Sequence, residues 1–153
     1  MMLYAVDPGP LQSALVVVRR GGHFGLEVLS ARVLLNAALL AELTHAAITS
    51  EPSLLVIEQI ASFGMPVGAE VFETVFWTGR FYEAWPNVST RHRLPRSAVK
   101  MHLCQSMRAK DSNIRQALAD RFGGSSAGGT KRAKGPLYGG TGHSLAALAV
   151  AVT

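Results

Sequence analysis

Leu3-Tyr4-Ala5-Val6-Asp7-Pro8-Gly9-Pro10 is the stretch on which the fold of this chain turns. A short apolar run ends on one carboxylate, and a Pro/Gly turn follows at once. The run has the character of a strand, and a Pro-Gly pair is a strong turn signal. Such an arrangement holds an acid at the rim of a sheet, within reach of a ligand. An Asp that only opens a turn would be written the same way. The partners of Asp7 therefore have to be found elsewhere in the chain.

Working outward, residues 13–19 read as a second strand rich in β-branched side chains. Gly21-Gly22 makes a turn, and residues 26–33 form a third strand. Short links make these three an antiparallel meander. Asn36 reads as the N-cap of a helix to about Ile48, with Leu39, Leu40, Leu43 and Ala47 at helical spacing. Pro52 stops it. Leu54-Leu55-Val56-Ile57 is wholly apolar, as in a strand buried on both faces, and it ends on Glu58.

A loop at 63–66 precedes a helix over 67–85, with Val67, Val71, Val75, Gly79 and Tyr82 on one side and Phe72 and Phe76 beside them. Residues 88–94 read as a fifth strand, and Pro95 starts a short helix to Cys104. Asp111 or Ser112 caps another helix, which Gly123-Gly124 terminates. Residues 123–137 are Gly/Ser-rich and basic, the composition of a mobile loop. A last, wholly apolar helix begins near Thr141 or His143 and packs on the sheet. A meander followed by strand–helix alternation predicts an α/β fold, a five-stranded mixed sheet flanked by helices.

The 153 residues suit one domain, and 48% apolar content is enough for a core. No apolar run is long enough to span a bilayer, so no membrane is expected. Asp7 and Pro8 stand where a signal peptide needs its apolar region. The single Cys104 excludes an internal disulfide and fits a reducing, cytoplasmic setting. No Cys/His spacing suggests structural zinc. The net charge of +5 is unevenly spread: residues 1–89 carry four Lys/Arg against eight acids, and residues 90–153 carry eleven against two. A basic half this concentrated points to a polyanion, most often nucleic acid.

Asp7 and Glu58 both end strands. If those strands are neighbours, the two acids converge at one rim. Hard divalent cations take such oxygen ligands, and Mg²⁺ is usually held by one or two carboxylates plus phosphate oxygens. Two such ions about 4 Å apart can drive phosphodiester cleavage.

Five segments, in order, carry a resemblance: Ala5-Val6-Asp7-Pro8-Gly9; Val56-Ile57-Glu58-Gln59; Ala98-Val99-Lys100; Ala109-Lys110-Asp111-Ser112-Asn113-Ile114; and Gly142-His143 through Val150. In these the chain resembles the RuvC-type Holliday-junction resolvases of the RNase H-like superfamily, and especially a short group found in phages and mobile elements. The resemblance implies an RNase H-like fold and a bacterial or phage-encoded, nucleoid-associated endonuclease of recombination and repair. It would cut four-way DNA junctions with Mg²⁺ or Mn²⁺.

Residue by residue, the resemblance implies that Asp7, Glu58 and His143 hold metal and act in catalysis. His143 falls where the family has Asp or, in some members, His; imidazole suits Mn²⁺ better than a hard Mg²⁺ site would. Lys100 and Lys110 match lysines that approach the scissile strand, with Lys110 placed to stabilise the transition state. Arg91, Arg93, Arg96, Arg108, Arg115, Lys131, Arg132 and Lys134 would then contact the DNA backbone, giving salt-dependent affinity. Phe63 stands two residues beyond the spacing of an aromatic that wedges into the junction centre, where stacking on a base is worth ~1–3 kcal/mol. Trp77, Phe81 and Trp85 belong to packing or to a subunit interface, the matching helix of the family building a two-fold dimer.

One position departs. RuvC proteins usually carry a further Asp one helical turn after the His143 position, and here it is Ala146. Ser144 could reach an ion only through water. The gap leaves open a junction-binding protein that does not cut, and a nuclease of the same fold acting on hybrids or forks. An actin-like nucleotide site would need a longer chain and a second Gly-rich phosphate loop.

Overall fold

Met2–Asp7 forms β1, the middle strand of a five-stranded sheet in a computed structural model that describes residues 1–48, 52–61, 64 and 66–153. β1 pairs antiparallel with β2 (Gln12–Arg20) and parallel with β4 (Ser53–Gln59). β3 (Leu26–Leu35) lies antiparallel outside β2, and β5 (Arg91–Pro95) lies parallel outside β4. The order β3-β2-β1-β4-β5 is the mixed sheet that the sequence predicts, with its first three strands an antiparallel meander.

Strand periodicity of two feeds a core on each face. Ala5, Ala14, Val16 and Val18 point to one side, against Val99 of α3 (Arg96–Cys104), Ile114 and Leu118 of α4 (Asp111–Arg121), and α5 (Gly142–Val152). Val6, Leu15, Val17, Leu55 and Ile57 point to the other. There they meet Leu39 and Leu43 of α1 (Asn36–Ala47), Phe81 of α2 (Ala69–Glu83) and Trp85 just beyond it. Ala147, Ala149 and Ala151 let α5 lie close on the sheet. Leu148, Val150 and Val152 are buried beside them, each contributing about 1.5–3 kcal/mol of transfer free energy.

Three local expectations change. Asn36 is the first residue of α1 and makes no cap. Its buried amide donates to the Gly9 carbonyl at 2.9 Å and accepts from Ser13 Oγ at 2.6 Å, while Ser13 Oγ accepts from Gly9 N at 3.0 Å. A buried amide needs such partners, and here they fasten the turn that follows Asp7. A Cβ on Gly9 would sit 2.3 Å from the Gln12 carbonyl oxygen, so the turn admits only glycine there.

The buried side of α2 is Thr74, Thr78 and Phe81, whereas Phe72, Val75 and Phe76 are exposed. Thr74 and Thr78 donate to the carbonyls of Glu70 and Thr74, both at 2.7 Å, which satisfies their hydroxyls inside the helix. Polarity alone therefore misjudges which side faces the core. Residues 123–137 are also more structured than a mobile loop. Ala127 is buried, Gly129 and Lys134 form an antiparallel bridge, and Leu137 N donates to the Ala127 carbonyl at 2.8 Å.

Candidate active site

The parallel register of β1 and β4 pairs Val6 with Ile57, so the next residues, Asp7 and Glu58, stand side by side at one rim. Ala5 and Val56 pack on the α5 side of the sheet, and two residues further on the same side is reached again. Both carboxylates therefore face α5. A slip of one residue in β4 would turn Glu58 to the opposite face.

α5 starts at this rim. Thr141 Oγ1 accepts from Ser144 N at 3.3 Å, and Ser144 Oγ accepts from Thr141 N at 2.8 Å, a capping box that fixes the entry of the helix. Ser144 is thus buried and committed to the cap. His143, on the first turn, places Nδ1 3.3 Å from Asp7 Oδ2. With Nδ1 protonated, the ring donates to the carboxylate and leaves Nε2 for another partner. The positive end of the α5 dipole also favours the Asp7 anion.

The neighbouring carboxylate is occupied differently. One Arg96 guanidinium nitrogen donates to both Glu58 oxygens, at 2.9 and 3.0 Å, and the other donates to Asp111 Oδ1 at 2.6 Å. Burial pushes the Asp7 carboxyl up, and His143 and Arg96 oppose that only in part. Burial likewise pushes Glu58 up, against the pull of Arg96, with the Asp7 charge adding to the rise. Asp111 is more exposed and is held below the usual carboxylate range by its bond to Arg96. Burial of Arg96 works against its charge, but Glu58 and Asp111 outweigh it and hold the guanidinium cationic.

Among the described residues, no three His, Cys, Asp or Glu side chains form a ready-made metal cage. The donors are nonetheless of the right kind. Two desolvated carboxylates side by side with an imidazole beside them fit a divalent cation. Their raised proton affinity shows how poorly their charge is compensated, and Arg96 supplies part of that compensation now.

A cleft opens over the rim, lined among others by Asp7, Arg96, Asp111, Arg115, His143 and Ala146. Lys100 lines a separate pocket together with Glu58 and Arg96, and Arg96 lies between the two. Lys110 is exposed next to Asp111, with its backbone N–H capped by Asn113 Oδ1 at 2.8 Å. Arg108 and Arg115 are exposed nearby on the α3–α4 connection and on α4. Lys131, Arg132 and Lys134 are exposed on the loop before α5. Arg93 is exposed on β5, its guanidinium 5.2 Å from the Tyr82 ring centre.

Two arginines are engaged by the protein's own acceptors. Arg91 donates to the carbonyls of Tyr82 and Trp85 at 3.0 and 3.1 Å, a cation at the C-terminal end of α2 where the dipole favours it. Arg96 is bound to Glu58 and Asp111. Phe63 lies outside the described residues.

Sequence reading missed Asp111 as part of this site. An acid in the first turn of a helix looks like ordinary capping, and only the fold brings it to Arg96. Lys110, not Asp111, takes the N-cap position of α4.

No family model matches the sequence, and no curated protein matches it. Solved structures do match. The Thermus thermophilus RuvC structure superposes with a TM-score of 0.69 at 18% identity, over 99% of this chain and 92% of that one. T. thermophilus RuvC in complex with a Holliday junction substrate gives 0.70 at 18% identity, over 99% of this chain and 91% of that one. The chain has the RNase H-like fold of RuvC.

Proposed function

We propose that this protein is a divalent-metal-dependent endonuclease that cuts branched DNA, with four-way junctions as its substrate. The observation that carries this reading is the pair of acids at the same rim of adjacent parallel strands, Asp7 and Glu58, facing the start of α5, with Arg96 and Arg115 lining the cleft over Asp7. The fold shared with a junction-bound RuvC supports the choice of substrate.

Asp7, Glu58 and His143 would hold Mg²⁺ or Mn²⁺, whose charge assists the attack of water on phosphorus and the departure of the leaving oxygen. With Nδ1 held by Asp7, Nε2 is the His143 nitrogen that would face the ion. Lys100, Lys110 and Arg115 hold the phosphates that flank the cut, and Lys110 meets the charge that grows at phosphorus. Arg93, Arg108, Lys131, Arg132 and Lys134 extend the backbone contacts.

The protein acts as a homodimer. The exposed apolar side of α2, Phe72, Val75 and Phe76, supports a second copy of the chain as its cover. Sedimentation of a Phe76→Lys variant as a monomer, against a dimeric parent, is the expected result.

The decisive experiment is cleavage of a synthetic four-way junction with each metal. Asp7→Asn and Glu58→Gln should bind the junction and fail to cut it. Cutting at the parental rate by both variants would remove the site assignment. A second reading, a junction-binding protein without cleavage, is favoured by Ala146 and by Arg96 on Glu58. Tight binding with no product under either metal would select it.

A further inference from the structure

The side chain that touches Glu58 is a cation of the protein's own. Arg96 opens α3, and a positive charge at a helix N-terminus is unfavourable for that helix. Local helix preference therefore does not account for it. Its partners do: the guanidinium spans two carboxylates from two elements, Glu58 on β4 and Asp111 on α4. Glu58 is largely shielded, its side chain 10% exposed, while Asp111 is 61% exposed. One end of the fork is anchored inside the site and the other in solvent. Both Glu58 oxygens accept from the guanidinium, so a metal ion approaching that carboxylate has to compete with a cation already bound to it.

We propose that Arg96 is the resident cation of the metal-free site, displaced from Glu58 when a divalent ion binds, and that Asp111 retains the guanidinium once it leaves. This rests on the metal-binding reading of Asp7 and Glu58 above. Arg96 is then a positioning residue that sets metal affinity, and Asp111 acts through it. The two nitrogens of the fork make the exchange local: the Glu58 bonds break while the Asp111 bond persists. Charge balance follows the same path, because the arriving ion replaces at Glu58 the positive charge that withdraws.

The two partners of the fork predict opposite effects. Mn²⁺ alone is titrated into metal-free protein without DNA, by calorimetry or by the loss of the free Mn²⁺ spin signal. Arg96→Gln should tighten Mn²⁺ binding about tenfold, the scale of losing one competing hydrogen bond to a charged group. Asp111→Asn should weaken it several-fold, because the guanidinium then has Glu58 as its only carboxylate. In Arg96→Gln the added Asp111→Asn change should do nothing. Weaker binding in that double variant would overturn the role given to Asp111 and make it a direct ligand.

Arg96→Lys keeps the charge without the fork and should bind Mn²⁺ with intermediate affinity, which guards against a folding defect in the Gln variant. Equal affinity of the parent and Arg96→Gln would overturn the displacement while leaving the metal site intact. No binding by either protein would overturn the metal reading itself, and the displacement with it. Asp7→Asn placed on Arg96→Gln should abolish binding, which ties the signal to this site.

Discussion

Asp7 and Glu58 are neighbours on parallel strands, face the same side and are both desolvated, yet they are partnered in different ways. Asp7 meets an exposed imidazole at 3.3 Å across a single contact. Glu58 meets a guanidinium through both oxygens. Burial pushes both carboxyls up, but Asp7 is opposed through one weak side-chain contact and Glu58 through two charge-assisted bonds. The difference lies in what each carboxylate leaves behind when it is removed. Removing the Glu58 carboxylate would leave the Arg96 guanidinium with Asp111 as its one ion-pair partner among the described residues, whereas removing the Asp7 carboxylate would release only an exposed imidazole.

The largest expected effect tests what the two acids share. Asp7→Asn and Glu58→Gln should each lower junction cleavage by at least on the order of 10²–10³-fold, the scale of losing one contact to transition-state charge. Single-turnover rates with Mn²⁺ would measure it. Unequal losses would show that only one acid belongs to the chemistry. His143→Ala should cost less, about 10–100-fold, as for an oriented metal-site histidine.

Stability should then separate the acids. In chelator, Glu58→Gln should destabilise the protein by about 1–3 kcal/mol. That is below the loss for a fully buried ion pair, because the Arg96 side chain is 34% exposed. Asp7→Asn should raise the melting temperature under the same conditions, since it removes a buried charge held by one weak contact. If both variants melt lower than the parent, the contrast between the two acids fails.

The smallest effect is in the pH dependence. Asp7 and Glu58 both titrate above their ordinary values of 3.8 and 4.5 in the fold. An acid raised in this way binds its proton more tightly folded than unfolded. Its contribution therefore falls as pH rises from the ordinary value through the raised one, and the penalty stays in full above it. Asp111 has the opposite sign: its pKa is lowered, so its stabilisation is present above the ordinary range and lost as pH falls. Melting curves in chelator from pH 4 to 8 should show Asp7→Asn gaining on the parent as pH rises. A constant difference would contradict the assignment.

Much of this site was legible in the chain. Each acid closes an apolar run, and the runs are strands because a buried β-branched segment has few other solutions. The basic second half is visible by counting, and Arg96, Lys100 and Arg115 from it line the cleft or the pocket beside it. What could not be read was which cation serves which acid. Arg96 and Glu58 are 38 positions apart and Arg96 and Asp111 are 15 apart. The pairing depends on how β5 hands over to α3 and on where α4 begins, neither of which has a local signature. Asn36 failed as a cap for a similar reason: its amide was claimed by a turn 27 positions away. The exposed side of α2 was misread because two threonines satisfy themselves within the helix.

Asp7 and His143 are separated by 136 positions, nearly the whole chain. Closing a loop of that length is slow compared with forming a helix or a hairpin, so contacts of this kind come late in folding. The meander around β1 can assemble by local pairing well before α5 docks. A chain caught part-way then carries its basic residues but lacks the contact between Asp7 and His143. On the proposed reading, hydrolytic competence belongs to the finished molecule alone and is timed by topology.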